Sequence, residues 1–206
     1  MSRAQILIIS ALSTIMAAAI IVLFVMTRPP TVGTGGVSGA VQSTGAALVG
    51  GPFTLNDHTG KRVTEADYRG KFMLVFFGYT YCPDICPAEL QVVAAALDEL
   101  GDKAKDVQPI FITVDPERDT VKQMGEYVEN FHPSQVGLTG SAEEIAKVAK
   151  AYRVYYARVE DEAANDYLMD HSSILYLMDR EGRFVTHFNY GTDAKALAKG
   201  LAERLG

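Results

Sequence analysis

The continuous apolar run at residues 71–79 (KFMLVFFGY) constrains the fold of this chain most strongly. Because consecutive residues of a strand point to opposite faces, such a run predicts a central strand that is covered on both faces. A second apolar run at 109–114 (PIFITV) predicts another buried strand. The segment between them has apolar residues at helical spacing, which predicts a connecting helix that buries Leu90, Val93, Ala94 and Leu97.

The elements that follow extend this alternation and then change it. Thr120 to Gln123 and Ser141 to Glu144 each fit a capping box, so each predicts the start of a helix. A helix and two strands joined by a turn are predicted near the end of the chain, and a small hairpin near its start. Residue patterns place the hairpin at 53–60 and the remaining elements at 136–138, 174–178, 183–188 and 192–205. Alternating strands and helices imply parallel crossovers, and the late strand pair adds antiparallel pairing. The predicted fold class is α/β, with the three-layer layout of a thioredoxin-like domain.

The N-terminal part of the chain has a different character. Residues 6–26 form a run of 21 residues without a charge, which as a helix spans roughly 31 Å and is long enough to cross a bilayer. A cleaved signal peptide is the alternative, but cleavage after the alanines at 17–19 would leave IIVLFVM exposed. We predict an anchor at 1–28, a flexible uncharged linker at 29–51 that is rich in Gly, Ser, Thr and Pro, and a folded domain at 52–206.

Charge excludes one class of partner. Arg3 and Arg28 flank the apolar run, so 17 of the 19 basic residues remain to face 25 acidic ones, and the formal charge beyond residue 28 is −8. An acidic domain of this kind is a poor candidate for binding nucleic acid.

The only two cysteines, Cys82 and Cys86, lie between the first buried strand and its helix in the segment CPDICP. Two cysteines do not make a disulfide scaffold. One helical turn would bring both sulfurs to one face, but Pro87 predicts a tight turn first and a regular helix that begins at about Pro87. A helix N-terminus favours the thiolate, which attacks disulfides and binds soft metals. Two inert buried cysteines or a passive disulfide are the alternatives.

One of the four histidines is placed to join this pair. His171 directly precedes the predicted strand at 174–178, in a loop that a thioredoxin-like layout brings beside the cysteine turn. His58, His132 and His187 fit structural or solvent-facing roles better. Two thiolates and one imidazole suit Cu(I) better than structural zinc, which usually has four protein ligands. Asp170 is a candidate to orient His171, and Asp84 is either a tuning charge or a turn residue.

Three segments together resemble the Sco/SenC family of copper-binding assembly factors for cytochrome c oxidase. They are 78–87 (GYTYCPDICP) followed by Glu89 and Leu90, 114–120 (VDPERDT), and 170–173 (DHSS) followed by the strand at 175–179. The first and third segments in combination are specific, whereas two cysteines four residues apart are not.

The resemblance implies a membrane-tethered chaperone that holds copper through Cys82, Cys86 and His171. It implies that the copper-bearing subunit of cytochrome c oxidase is the partner, that another periplasmic copper chaperone is a candidate donor, and that the chain lies in the bacterial inner membrane with its domain in the periplasm. A hairpin insertion is implied at 154–167. The 115–119 segment is either a docking element or a structural loop.

Two enzymatic alternatives remain at this point. A thiol–disulfide oxidoreductase, with Cys82 and Cys86 as the redox-active pair, would reduce the copper-site cysteines of the oxidase or act in redox signalling. General enzymes of that kind have two residues between their cysteines, and a proline where this chain has His171 and Ser172. A peroxiredoxin would carry a proline and a threonine ahead of the reactive cysteine, and here only Thr80 is present.

Overall fold

The computed structural model describes residues 49–161 and 166–206 of the chain. Within this part, none of the helices combines the length and the apolar character that crossing a membrane requires. The predicted anchor lies outside the described residues, as does most of the predicted linker.

The described residues form nine strands and four α-helices. The strands are β1 (Thr54–Asp57), β2 (Arg62–Thr64), β3 (Phe72–Gly78), β4 (Val107–Thr113), β5 (Val136–Thr139), β6 (Tyr156–Asp161), β7 (Asp166–His171), β8 (Ile174–Met178) and β9 (Phe184–Asn189). The helices are α1 (Ile85–Leu100), α2 (Val121–Val128), α3 (Ala142–Tyr152) and α4 (Ala194–Leu205). Two short 3₁₀ segments, Glu65–Tyr68 and Gly101–Asp106, complete the described elements.

Seven strands form one mixed sheet in the order β2-β1-β5-β4-β3-β8-β9. The β3–β4 and β4–β5 pairs are parallel, and the other pairs are antiparallel. All seven residues of β3 are buried, as the apolar run predicted. Helices cover both faces, because Phe76 stacks on Phe111, which contacts Tyr127 of α2, whereas Phe77 contacts Tyr152 of α3. The mixed three-layer α/β architecture is therefore as predicted.

The helix caps follow the sequence signals. Thr120 accepts a hydrogen bond from the Gln123 amide at the start of α2. Ser141 and Glu144 form the reciprocal capping box at the start of α3. Each cap satisfies backbone donors that a helix N-terminus leaves unpaired.

The hairpin formed by β6 and β7 differs from the predicted insertion in one respect. Strands β6 and β7 pair only with each other and form a separate two-stranded sheet. His171 is the last residue of β7, paired with Tyr156, instead of lying in a loop before β8. The antiparallel register continues to this position, which extends the hairpin beyond the predicted end at Tyr167.

Candidate metal centre

The cysteine turn begins where β3 leaves the sheet. The chain passes from Gly78 through a turn in which the Cys82 amide donates to the Tyr79 carbonyl at 3.3 Å, and α1 then begins at Ile85. The helix thus starts two residues before the predicted position, and Pro87 occupies its first turn. Proline fits there because the first backbone amides of a helix have no partner within the helix.

A sulfur atom completes this helix start. The Cys86 amide donates to Cys82 Sγ at 3.3 Å, so Cys82 accepts a helix N-terminal hydrogen bond, as a capping side chain does. Asp84 is the N-cap residue, but its side chain makes no capping hydrogen bond. Cys82 is half-buried and Cys86 is buried, and both are free thiols.

Gly78 provides the space in which Cys86 sits. A Cβ atom at this position would lie 2.7 Å from Cys86 Sγ and 2.8 Å from Phe111 Cε2. Both distances are far below van der Waals contact, so the sulfur packs directly against the glycine backbone. Gly78 is therefore part of the site although it has no functional side chain.

The two thiols have opposite proton affinities. A hydrogen bond from the Cys86 side chain lowers the pKa of Cys82 to about 4; burial opposes this shift, and His171 and the amides of Cys86 and Asp84 support it. The hydrogen bond with Cys82 raises the pKa of Cys86 far above its ordinary range, and burial adds to that rise. The pair therefore holds one proton at neutral pH, with the negative charge on the more accessible sulfur.

His171 approaches the pair from the hairpin. Its Nε2 lies 3.4 Å from Cys86 Sγ, and its Nδ1 lies 3.3 Å from the carbonyl oxygen of Ser172. The tautomer whose Nδ1 donates its proton to this carbonyl is the one that can bind a metal ion through Nε2, whereas a proton on Nε2 is what supports the Cys82 thiolate in the metal-free chain. The ring also packs edge-on against Phe76 and Tyr79. The Ser172 carbonyl orients the ring, and the sequence candidate for this role, Asp170, is exposed.

The ligand atoms of Cys82, Cys86 and His171 all lie within 4.8 Å of one another. A thiolate, a second sulfur and a neutral imidazole are donors that soft ions such as Cu(I) prefer. Cys82 and His171 line a surface groove of about 440 Å³, whose walls are mainly apolar and include Pro83, Ile85, Val159 and Leu168, whereas Cys86 is fully buried. The chemistry of the donor set and its close spacing therefore fit a copper ion that can be reached from the surface.

The other histidines lie outside this group. His58 Nδ1 accepts from the Gly137 amide, and His132 contacts Ser134. His187 stacks on Phe184 within β9. As predicted, the structure assigns these three side chains to contacts away from the cysteine turn.

Asp119 supports the site in a way that the sequence did not reveal. This fully buried carboxylate accepts hydrogen bonds from the Thr80 amide at 3.0 Å, the Thr80 hydroxyl at 2.6 Å and the Thr113 hydroxyl at 2.6 Å. Burial raises its pKa, while these three donors oppose the rise. Because Thr80 lies two residues before Cys82, Asp119 fixes the start of the cysteine turn. In the sequence, only its position after a buried strand pointed to Asp119. That position is equally compatible with a carboxylate that stabilises the cysteine turn and with one that binds a partner protein.

Comparison with known proteins gives consistent matches. The family model described as SCO1/SenC matches residues 41–206. The Arabidopsis thaliana protein SCO1 homolog 1, mitochondrial, is 51% identical over 79% of this chain and 49% of its own length. The human protein SCO1 homolog, mitochondrial, is 42% identical over 78% of this chain and 54% of its own length. The chain thus spans about half the length of these curated relatives.

Solved structures match over the same region. Copper-bound ScoI of Arabidopsis thaliana has a TM-score of 0.73 at 51% identity and covers 76% of this chain and 98% of its own. Copper-bound ScoI of Bradyrhizobium japonicum has a TM-score of 0.70 at 47% identity and covers 75% of this chain and 98% of its own. BsSco, described as a Sco family member with a disulfide switch, has a TM-score of 0.61 at 25% identity, over 78% of this chain and 96% of its own.

Proposed function

This chain belongs to the SCO1/SenC family, and we propose that it is a copper chaperone that supports assembly of the binuclear copper centre of cytochrome c oxidase. The observation that carries this proposal is the convergence of Cys82, Cys86 and His171 to within 4.8 Å. Two solved relatives hold copper, and the Sco family is described as one of cytochrome c oxidase assembly proteins. The fold is the mixed α/β thioredoxin-like one of these relatives.

The residues have separable roles in such a chaperone. Cys86 is buried and forms the fixed part of the chelate, whereas Cys82 is half-buried and faces the groove. A thiolate at Cys82 binds Cu(I) without first losing a proton near neutral pH, so copper uptake there does not compete with protonation. The groove admits a ligand from a partner, and copper can leave by exchange of Cys82 and His171 for that ligand. We propose the copper-bearing oxidase subunit as acceptor and another periplasmic copper chaperone as donor.

The ligand set is tested by titrating the reduced chain with Cu(I) against a competing chelator. We expect Cys82→Ser and Cys86→Ser to abolish tight binding, and His171→Ala to weaken it by at least about tenfold. His187→Ala, a histidine exposed on β9, is the matched control and should bind as the unaltered chain does. Unchanged affinity in His171→Ala would refute the three-ligand site.

The copper content of the assembled oxidase tests the physiological role. We expect cells that lack this protein to assemble oxidase with less copper, and added copper to restore it. Full oxidase copper in such cells would contradict the chaperone proposal.

A thiol–disulfide oxidoreductase is the second candidate, and the low pKa of Cys82 favours it. The Cys82 thiolate would attack a partner disulfide and form a mixed disulfide, releasing one partner thiolate. The Cys86 sulfur, after losing its proton, would attack Cys82 Sγ, release the second partner thiolate and leave a Cys82–Cys86 disulfide. Two electrons thus pass to the partner. Copper-free turnover on a partner disulfide, with His171→Ala as active as the unaltered chain, would favour this role.

The membrane tether is a further part of the proposal. The uncharged run at 6–26 supports an anchor within 1–28, followed by the linker at 29–51 and the copper-binding domain at 52–206. We place the domain on the periplasmic face of a bacterial inner membrane. One solved relative comes from the bacterium Bradyrhizobium japonicum, although the curated relatives are named as mitochondrial. Resistance to alkaline extraction, with protease access only from the periplasmic side, is the expected result.

A further inference from the structure

The hairpin that carries His171 has its own backbone pairing. Strands β6 and β7 form a two-stranded sheet, separate from the seven-stranded one that carries the cysteine turn. Hydrogen bonds between Tyr155 and Ser172 close the base of the hairpin, but they do not tie it to the larger sheet. Its orientation therefore depends on side chains of the main body, by which we mean the seven-stranded sheet with its helices and loops.

Arg118, in the loop between β4 and α2, makes such a contact. Its Nη1 donates to the Tyr167 carbonyl at 3.0 Å and to Asp166 at 3.3 Å. Its guanidinium carbon lies 3.6 Å from the centroid of the Tyr167 ring, and that of Arg158 lies 3.7 Å from the same centroid. Two cations at these distances must occupy opposite faces, so the Tyr167 ring is held between them.

The main-body side of this contact is equally well defined. Arg118 Nε donates to Asp115, and the Tyr167 hydroxyl donates to the other oxygen of Asp115 at 2.9 Å. The Asp115 side chain is 4% exposed, so the carboxylate cannot be satisfied mainly by water. One buried carboxylate thus fixes both Arg118 and the hairpin tyrosine that Arg118 covers.

Arg118 also reaches the cysteine turn. Its guanidinium carbon lies 4.8 Å from the ring centroid of Tyr81 and 5.8 Å from that of Tyr79. Tyr81 directly precedes Cys82, and the Tyr79 ring packs edge-on against His171. A single guanidinium therefore contacts both segments that supply the site residues.

Burial distinguishes Arg118 from an ordinary surface arginine. The Arg118 side chain is 15% exposed, and its Nη2 is buried without a hydrogen-bond acceptor among the described residues. Leaving a charged donor without an acceptor costs free energy, and the surrounding aromatic faces are the groups that can offset it. An exposed arginine with a carboxylate partner would need none of these contacts.

We propose that Arg118 is a positioning residue, whose clamp on Tyr167 and Tyr81 holds the β6–β7 hairpin so that His171 stays against the cysteine pair. The inference rests on the proposed function only in taking His171 as a copper ligand. The position of the hairpin itself can be measured without metal.

The first test uses the metal-free chain. We expect Arg118→Leu to speed amide hydrogen exchange in β6 and β7 while β3 and β4 keep their protection. The matched control is Arg62→Leu, which removes an arginine paired with Glu144 away from the cysteine turn. If a folded Arg118→Leu protein shows unchanged hydrogen exchange in the hairpin, the proposal is overturned, regardless of the copper affinity of that variant.

The second test is a double-mutant cycle for Cu(I) affinity. We expect Arg118→Leu to weaken binding by about tenfold when His171 is present, and by no more than about twofold when His171 is replaced by Ala. Equal losses in both backgrounds would overturn the proposal, because Arg118 would then act on the cysteines or on the fold as a whole. We expect Arg118→Lys to fall between Arg118→Leu and the unaltered chain, since it keeps the charge but not the planar fork.

Tyr167→Leu gives an independent variant if Arg118→Leu does not fold. It removes the hairpin side of the clamp and leaves the Arg118–Asp115 pair in place. The same two results are expected of it, and a Tyr167→Leu protein with unchanged hairpin exchange would overturn the proposal.

Discussion

The candidate copper site has two halves that are built differently. The cysteine turn leaves β3, a strand whose seven residues are all buried, and Cys86 is fully buried behind Gly78. His171 ends β7, in a hairpin that exposes Val159 and Leu168 and pairs only with itself. One half is part of the core, and the other is attached to it by a few side chains.

This difference suits a protein that must both hold an ion and release it. A ligand fixed in the core preserves the chelate geometry, because core side chains have little freedom to move. A ligand on a separate hairpin can move at lower cost, since few buried contacts change with it. Ligand exchange with a partner is therefore expected to begin at the His171 and Cys82 side, and Cys86 is expected to release copper last.

The two thiols give the largest expected contrast. Because the hydrogen bond from Cys86 lowers the pKa of Cys82 to about 4, Cys82 stays a thiolate down to about that pH. We expect its alkylation rate in the reduced, metal-free chain to be nearly constant from neutral pH to about pH 5 and then to fall. A cysteine with an ordinary pKa of about 8.5 would have lost roughly a hundredfold or more of its thiolate by pH 6.

Two further results would sharpen this contrast. Cys86→Ala removes the side-chain donor, so it should raise the pKa of Cys82 and move the fall in alkylation rate to higher pH. The buried Cys86 should react slowly throughout, because burial and the neighbouring thiolate disfavour its ionised form. A Cys82 rate that falls tenfold per pH unit below pH 8 would contradict the assigned charge.

Gly78 tests whether the cysteine half is as tightly packed as its distances indicate. We expect Gly78→Ala to lower the free energy of unfolding by about 1–3 kcal/mol, because the added methyl group overlaps Cys86 Sγ and the Phe111 ring. Chemical denaturation of the metal-free chain measures this. Gly51→Ala is the matched control: its Cβ would meet Ala151 Cβ at 3.5 Å, an ordinary contact. Equal stabilities of the two variants would show that the core half can relax and is not rigid.

Sequence patterns predicted the core half better than the hairpin half, for physical reasons. A strand that is buried on both faces is visible in the sequence as a continuous apolar run, which made β3 predictable. A capping box is visible as two polar residues three positions apart, which made the caps at Thr120 and Ser141 predictable. The start of α1 was placed two residues late, because a cysteine sulfur accepts the amide hydrogen bond that a conventional cap would accept. His171 was found through the fold and the family resemblance, since 85 residues separate it from Cys86. The Arg118 clamp depends on side chains stacking between distant segments, which no local pattern encodes.

The exposed face of the hairpin at Leu168, a residue that also lines the groove beside Cys82, should give the smallest effect on stability. Leu168 pairs across the hairpin with Val159, and it is 39% exposed, on the face of β7 opposite to Tyr167 and His171. We expect Leu168→Ala to lower the free energy of unfolding by no more than about 1 kcal/mol, as measured by denaturation at several protein concentrations. The Leu168 side chain is partly exposed, so truncation removes only part of the contact area of a buried leucine, and the Arg118–Tyr167 contact lies on the other face. A loss above about 1.5 kcal/mol would mean that this face is covered in solution, and a loss that grows with protein concentration would identify a second copy of the chain as the cover. Either result would break the contrast between a core-bound half and a lightly attached one.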